Sequence, residues 1–154
     1  MKYHYLIIAI IVFIGAFLGS NITTQNLDWY DGIKLPQWTP DGSIISIAWT
    51  IIFILLILSI GIYYDRAFRN KKFYFVLILF IINLILNTSW SYLFFGFHLV
   101  GASILEMIIL EITTICLIIL IRPTSRLASM LLYPYAIWVG FATILAYNIF
   151  LLNT

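Results

Sequence analysis

Asn83-Leu-Ile-Leu-Asn87-Thr-Ser-Trp90-Ser91-Tyr-Leu-Phe94-Phe95-Gly96-Phe97 is the stretch on which the reading of this chain turns. It lies in a segment apolar enough for lipid, yet it holds two amides, a threonine, two serines and an indole. At helical spacing Asn83, Asn87, Trp90, Ser91 and Phe94 share one face. An unpaired amide costs roughly 4–8 kcal/mol on transfer to a solvent that cannot hydrogen-bond. The face must therefore meet other helices, a polar cavity or a ligand.

Composition sets the same frame. Of 154 residues, 64% are hydrophobic and 9% charged, against about 45–50% and about 25% in soluble domains. That balance identifies an all-α integral membrane protein, and the length allows a single membrane domain, residues 1–154. A net charge of +2 gives no reason to expect a nucleic-acid partner. Cys116, the lone cysteine, rules out an intrachain disulfide and a cysteine-cluster metal site.

Working outward, apolar runs at 3–20, 44–64, 73–97, 102–121 and 127–152 predict a bundle of five transmembrane helices. The first run also fits a signal peptide after Lys2, but no small-x-small cleavage site follows it, so a retained helix is expected. Gly15 and Gly19 form a G-x-x-x-G pair that lets another backbone approach closely. That face is the expected dimer contact. With five spans, Lys2, Arg66, Arg69, Lys71, Lys72, Arg122 and Arg126 fall on one side and Lys34 alone on the other. The positive-inside rule then makes the N-terminus cytoplasmic and puts loop 21–43 and the C-terminus outside.

Direction of travel fixes depth. Trp49, Asn87, Trp90, Ser91, Glu106 and Ala142 fall towards the outer side, with Tyr135 and Trp138 deeper. Loop 21–43, carrying Trp29, Tyr30, Pro36, Trp38 and Pro40, is long and aromatic enough for a cavity lid. This is the makeup of a pocket for a flat, largely apolar ligand. Bland alternatives stand beside each element: Trp49 as a belt residue, the lid aromatics resting at the lipid interface, Asn83 and Asn87 as interhelical glue. Glu106 and Glu111, about 140° apart round a helix, cannot share a face. Either is a functional candidate or a protonated acid bonded to a neighbouring helix. No Cys/His metal spacing, phosphate loop or Ser/His/Asp set is present, and His4 or His98 could serve haem only as a lone axial ligand.

Taken together, Trp29-Tyr30, Pro36-Gln-Trp38-Thr-Pro40, Trp49-Thr50, Asn87-x-x-Trp90-Ser91-x-x-Phe94-Phe95 and Pro134-Tyr135-x-x-Trp138-x-x-Phe141-Ala142 resemble the tryptophan-rich sensory protein / translocator protein family. The resemblance runs in order along nearly the whole chain. It implies a five-helix bundle, usually a homodimer, whose cavity under the first loop takes protoporphyrin IX or haem and synthetic isoquinolines and benzodiazepines, with no cofactor required. It implies ligand-binding roles for Trp29, Tyr30, Pro36, Trp38, Trp49, Asn87, Trp90, Phe94, Tyr135, Trp138 and Ala142. Some bacterial members degrade protoporphyrin in light, which would fall here to Trp49 and Trp138. A small exporter of porphyrin-like molecules, coupled through Glu106 or Glu111, is the alternative. The chain departs from the family at Leu35 and Asp41, and at Ala146, where the family has Asn; Phe150 replaces a Trp, while Asn153 matches. No Lys or Arg follows Arg126, so the sterol-recognition element of animal members is missing.

Overall fold

A computed structural model describes residues 3–67 and 70–154. Its elements are α1 (Tyr3–Gln25), α2 (Leu27–Gly32), α3 (Gly42–Ala67), α4 (Phe73–Ser91) running into a π-helical turn (Tyr92–Gly96), α5 (Val100–Ile121), α6 (Arg126–Met130) and α7 (Tyr133–Asn153). Among the described residues five stretches are long and apolar enough to cross a membrane: Tyr3–Gln25, Gly42–Ala67, Phe73–Gly96, Val100–Ile121 and Arg126–Asn153. Helices are what such sequences must form, because lipid offers no partner for a free backbone N–H or C=O.

Some boundaries differ from those expected. The first helix continues past Ser20 to Gln25, where Thr23 and Thr24 hydroxyls donate to the carbonyls of Gly19 and Ser20. Turned inward on their own helix, these hydroxyls no longer stop it. The connection 21–43 therefore holds the end of α1 and the whole of α2. The last span starts as α6, capped by Ser125 Oγ accepting from Ala128 N at 3.2 Å. It restarts at α7, where Pro134 stands in the first turn and leaves no ladder bond broken. Lys2 and Arg69 of the basic set lie outside the described residues. Arg66, Lys71, Lys72, Arg122 and Arg126 stand at the α1-start end of the bundle, and Lys34 at the other.

α4, α5 and α7 pack closely, with α1 laid on α4. The expected dimer face, Gly15 and Gly19, is used inside this contact. A Cβ on Gly15 would sit 3.1 Å from Thr88 Oγ1, and one on Gly19 3.1 Å from Ser91 Oγ. The small residues thus serve an intramolecular approach, which corrects their assignment to a partner.

α3 meets α1 differently at its two ends. At the N-terminal face the Tyr5 ring lies on Gly61, where a Cβ would overlap it. Tyr5 Oη donates to Asp65 Oδ2 at 3.1 Å, and His4 Nε2 lies 3.1 Å from Asp65 Oδ1. Towards the other face the helices part, and the space between them is the cavity described next.

Candidate functional site

The polar face of α4 divides its work by depth. Asn83 is fully buried: its Nδ2 donates to Thr113 Oγ1 (2.8 Å) and Thr114 Oγ1 (2.9 Å) on α5, and its Oδ1 accepts from Tyr135 Oη (3.0 Å) on α7. Asn87, one turn nearer the lid, donates to the same Tyr135 oxygen at 3.2 Å. Asn83 is therefore interhelical glue, and Tyr135 is the hinge of a network joining three helices. Tyr135 stands behind the cavity wall, which corrects its expected place as a lining residue.

Above this network opens a cavity of about 530 Å³, within the usual range of small-molecule sites, about 300–1,000 Å³. Of the expected residues, Tyr30, Trp49, Asn87, Trp90, Phe94, Trp138 and Ala142 line it. Trp29, Pro36 and Trp38 do not. Trp29 stacks on His98 (centroids 4.1 Å, 10° between planes) and meets Phe94 edge-on at 5.7 Å. Trp38 meets the cavity residue Phe141 edge-on at 5.8 Å, and the Pro36 carbonyl accepts from Thr39 Oγ1 in a loop turn. These three build the lid rather than touch its contents.

The π-helical turn sets the roof. Phe97 N reaches back to Tyr92 O at 2.7 Å, one residue further than an α-helical bond. The widened turn lets the consecutive Phe94 and Phe95 both turn inward, 2% and 8% exposed. Tyr30 packs on both rings, with centroids at 6.2 and 5.4 Å. Burial, and then the nearby Asp31 carboxylate, hold its hydroxyl above the ordinary phenol range. His98 closes the roof with φ +57°, a left-handed turn residue whose ring supports Trp29.

α1 supplies a wall that was not expected of it: Gly15, Ala16, Gly19, Ser20, Thr23 and Thr24. Across from it α3 presents Ser46, Thr50 and Phe53 beside Trp49. Ser20, Thr24, Ser46 and Thr50 are exposed as well as lining, so the cavity opens sideways between α1 and α3. The signal that could have found this wall is the set of small residues Gly15, Ala16, Gly19 and Ser20 on one side of the helix, read as room for a ligand as well as for a helix.

The wall carries no Lys, Arg, His, Asp or Glu; Glu106 and Glu111 stand elsewhere on α5. The indoles of Trp90 and Trp138 line the cavity, while their N–H groups lie buried in the surrounding protein without an acceptor. Ala146 lines the far end and leaves it without an amide. Among the described residues no group of three His, Cys, Asp or Glu could hold a metal ion. The arrangement suits a flat, largely apolar body that stacks on aromatic faces.

Comparison with known proteins bears on this geometry. The TspO/MBR family model matches residues 7–152. The chain is 41% identical over 128 residues to the uncharacterized membrane protein YtaB of Bacillus subtilis, covering 82% of this chain and 81% of that one. It is 33% identical over 138 residues to the tryptophan-rich protein TspO of Bacillus cereus, 89% and 88% of the two chains. It is 27% identical over 136 residues to the human translocator protein, 87% and 80%.

Proposed function

The chain belongs to the TspO/MBR family, and from that premise and its aromatic cavity we propose a membrane sensor or regulator that binds a flat, largely apolar ring ligand, a tetrapyrrole first. One observation carries the reading: Trp49, Trp90 and Trp138, from three helices, line a single cavity. Each aromatic contact adds roughly 0.5–1.5 kcal/mol beyond area burial.

The wall also says how such a ligand would lie. With no cation inside, the carboxylates of protoporphyrin IX belong at the opening between α1 and α3, and the macrocycle inside. No histidine lines the cavity, so haem would bind by its ring alone and the metal-free porphyrin fits as well. Light-dependent porphyrin breakdown, as a side activity, would fall to Trp49 and Trp138. Transport loses its coupling group, because neither Glu106 nor Glu111 lines the cavity. The basic end of the bundle is the cytoplasmic one in this reading, and a homodimer has to use a face other than Gly15/Gly19.

Titrating the detergent-solubilised protein with protoporphyrin IX, read by tryptophan fluorescence, tests the proposal. Saturable quenching weakened in Trp138→Phe and Trp49→Phe is expected; quenching unchanged by both substitutions contradicts a cavity site. Loss of the Soret band in light that survives both substitutions removes the photochemical role of these indoles.

A further inference from the structure

At the end of the bundle opposite the lid lies a second hollow, of about 610 Å³, that the ligand cavity does not use. Arg66, Arg122 and Arg126 line it, together with Pro123, Thr124, Ser125 and Leu127. The three cations come from three places: the last turn of α3, the residue after α5 and the first residue of α6. Each therefore stands at the end of a span, at the depth of lipid head groups.

We infer that this hollow is a phosphate-binding site that seats the head group of an anionic phospholipid.

Charge is the first reason. No carboxylate lines the hollow. The one acid at this end of the bundle is Asp65, engaged by His4 and Tyr5. Three guanidiniums sharing one hollow repel one another, and an anion between them removes that repulsion. Arginine is suited to the task, since its planar fork matches two phosphate oxygens at once.

Order is the second reason. The connection between α5 and α6 is tied down: Thr124 N and Ser125 N donate to Ile121 O at 3.0 and 2.9 Å, and Pro123 fixes its own φ. Arg66 Nη1 crosses from α3 to donate to Ser125 Oγ at 3.3 Å, and Asn70 Nδ2 donates to Thr124 Oγ1 at 3.1 Å. The Arg66 guanidinium and the backbone that carries Arg122 and Arg126 are held in place before any anion arrives, which lowers the ordering cost of binding.

The lip of the hollow decides for a lipid. Leu127 is half-exposed there beside Pro123, so the site is cationic on one side and apolar on the other. A head group with its acyl chains meets both, whereas a free phosphate meets one. Basic pockets between spans at a membrane surface are a recurrent form of such recognition.

Native mass spectrometry of the purified full chain with added phosphatidylglycerol or phosphatidylcholine tests this. Retained phosphatidylglycerol, at least about tenfold tighter than phosphatidylcholine, is expected. The double substitution Arg122→Ala/Arg126→Ala should abolish that preference, and Arg122→Lys/Arg126→Lys should lose most of it while keeping the charge. The double substitution Lys71→Ala/Lys72→Ala, with equal charge loss at the same end but outside the hollow, should leave it within about twofold. Inorganic phosphate at millimolar concentration should not displace the lipid. If it does, and the arginine pair is still required, the phosphate site stands but its ligand is a soluble anion, which overturns the lipid assignment. Equal lipid retention in the wild type and Arg122→Ala/Arg126→Ala, or as large a loss in Lys71→Ala/Lys72→Ala as in that variant, overturns the site itself.

Discussion

The side-chain amide of Asn153, at the end of α7, clips both backbone groups of Lys34 in the lid: Lys34 N donates to its Oδ1 at 3.0 Å and its Nδ2 donates to Lys34 O at 2.9 Å. Two bonds of roughly 0.5–1.5 kcal/mol each hold this corner. Asn153→Ala should loosen residues 33–38 and raise hydrogen exchange there by about fivefold or more. Lys34→Ala should change nothing, since the ammonium takes no part. Hydrogen exchange by mass spectrometry distinguishes the two, and equal loosening by both contradicts the clip.

Tyr135 and Asn83 form the second load point. Tyr135→Phe leaves Asn83 Oδ1 without its 3.0 Å donor and Asn87 without its acceptor. Pairs of this kind in membrane bundles average about 0.6 kcal/mol; two lost at once in a buried network should cost about 1–2 kcal/mol. A double-mutant cycle with Asn83→Ala, read by unfolding in detergent, should show strong non-additivity. Additive losses would mean the two residues do not share the network.

At the other end of the bundle Gly61 is required by the Tyr5 ring. Gly61→Ala should destabilise by about 1–3 kcal/mol through overpacking. Tyr5→Leu in the same chain should restore part of the loss, because it withdraws the ring from that space. A melting curve in which Tyr5→Leu makes Gly61→Ala worse contradicts the contact.

Five spans and the inward face of α4 were legible because their causes are local. Apolar length needs only composition, and Asn83, Asn87, Trp90 and Phe94 recur at helical spacing. Tyr135 behind the wall was not legible: its hydroxyl is drawn to Asn83 and Asn87 by a helix packing that no spacing encodes. Nor was the π-helical turn, since Tyr92–Gly96 has the same apolar composition as an α-helical turn. Gly15 and Gly19 were read correctly as places of close approach, but small residues do not say whose backbone approaches. Trp29 and Trp38 marked the lid without showing that they brace it from outside.

Tyr30 links the lid to pH. Its raised pKa means that the docked lid favours the neutral phenol. Docking is fully stabilised below the pKa of a free phenol, about 10, and weakens as pH rises above it. Ligand affinity should therefore fall above about pH 10 in the wild type and fall less in Tyr30→Phe. Identical alkaline profiles, measured by fluorescence titration, would detach Tyr30 from lid closure.

If a ring-shaped ligand occupies the indole-lined hollow, filling that hollow must exclude it. Ala142→Trp tests this most directly, because Ala142 lies on the wall and the added indole fills space while keeping every native tryptophan. Protoporphyrin IX titrated into wild type and variant, both in lipid nanodiscs, should quench the wild type saturably and bind the variant at least about tenfold more weakly. Superimposable binding curves, or a wild type that never saturates, would contradict the account.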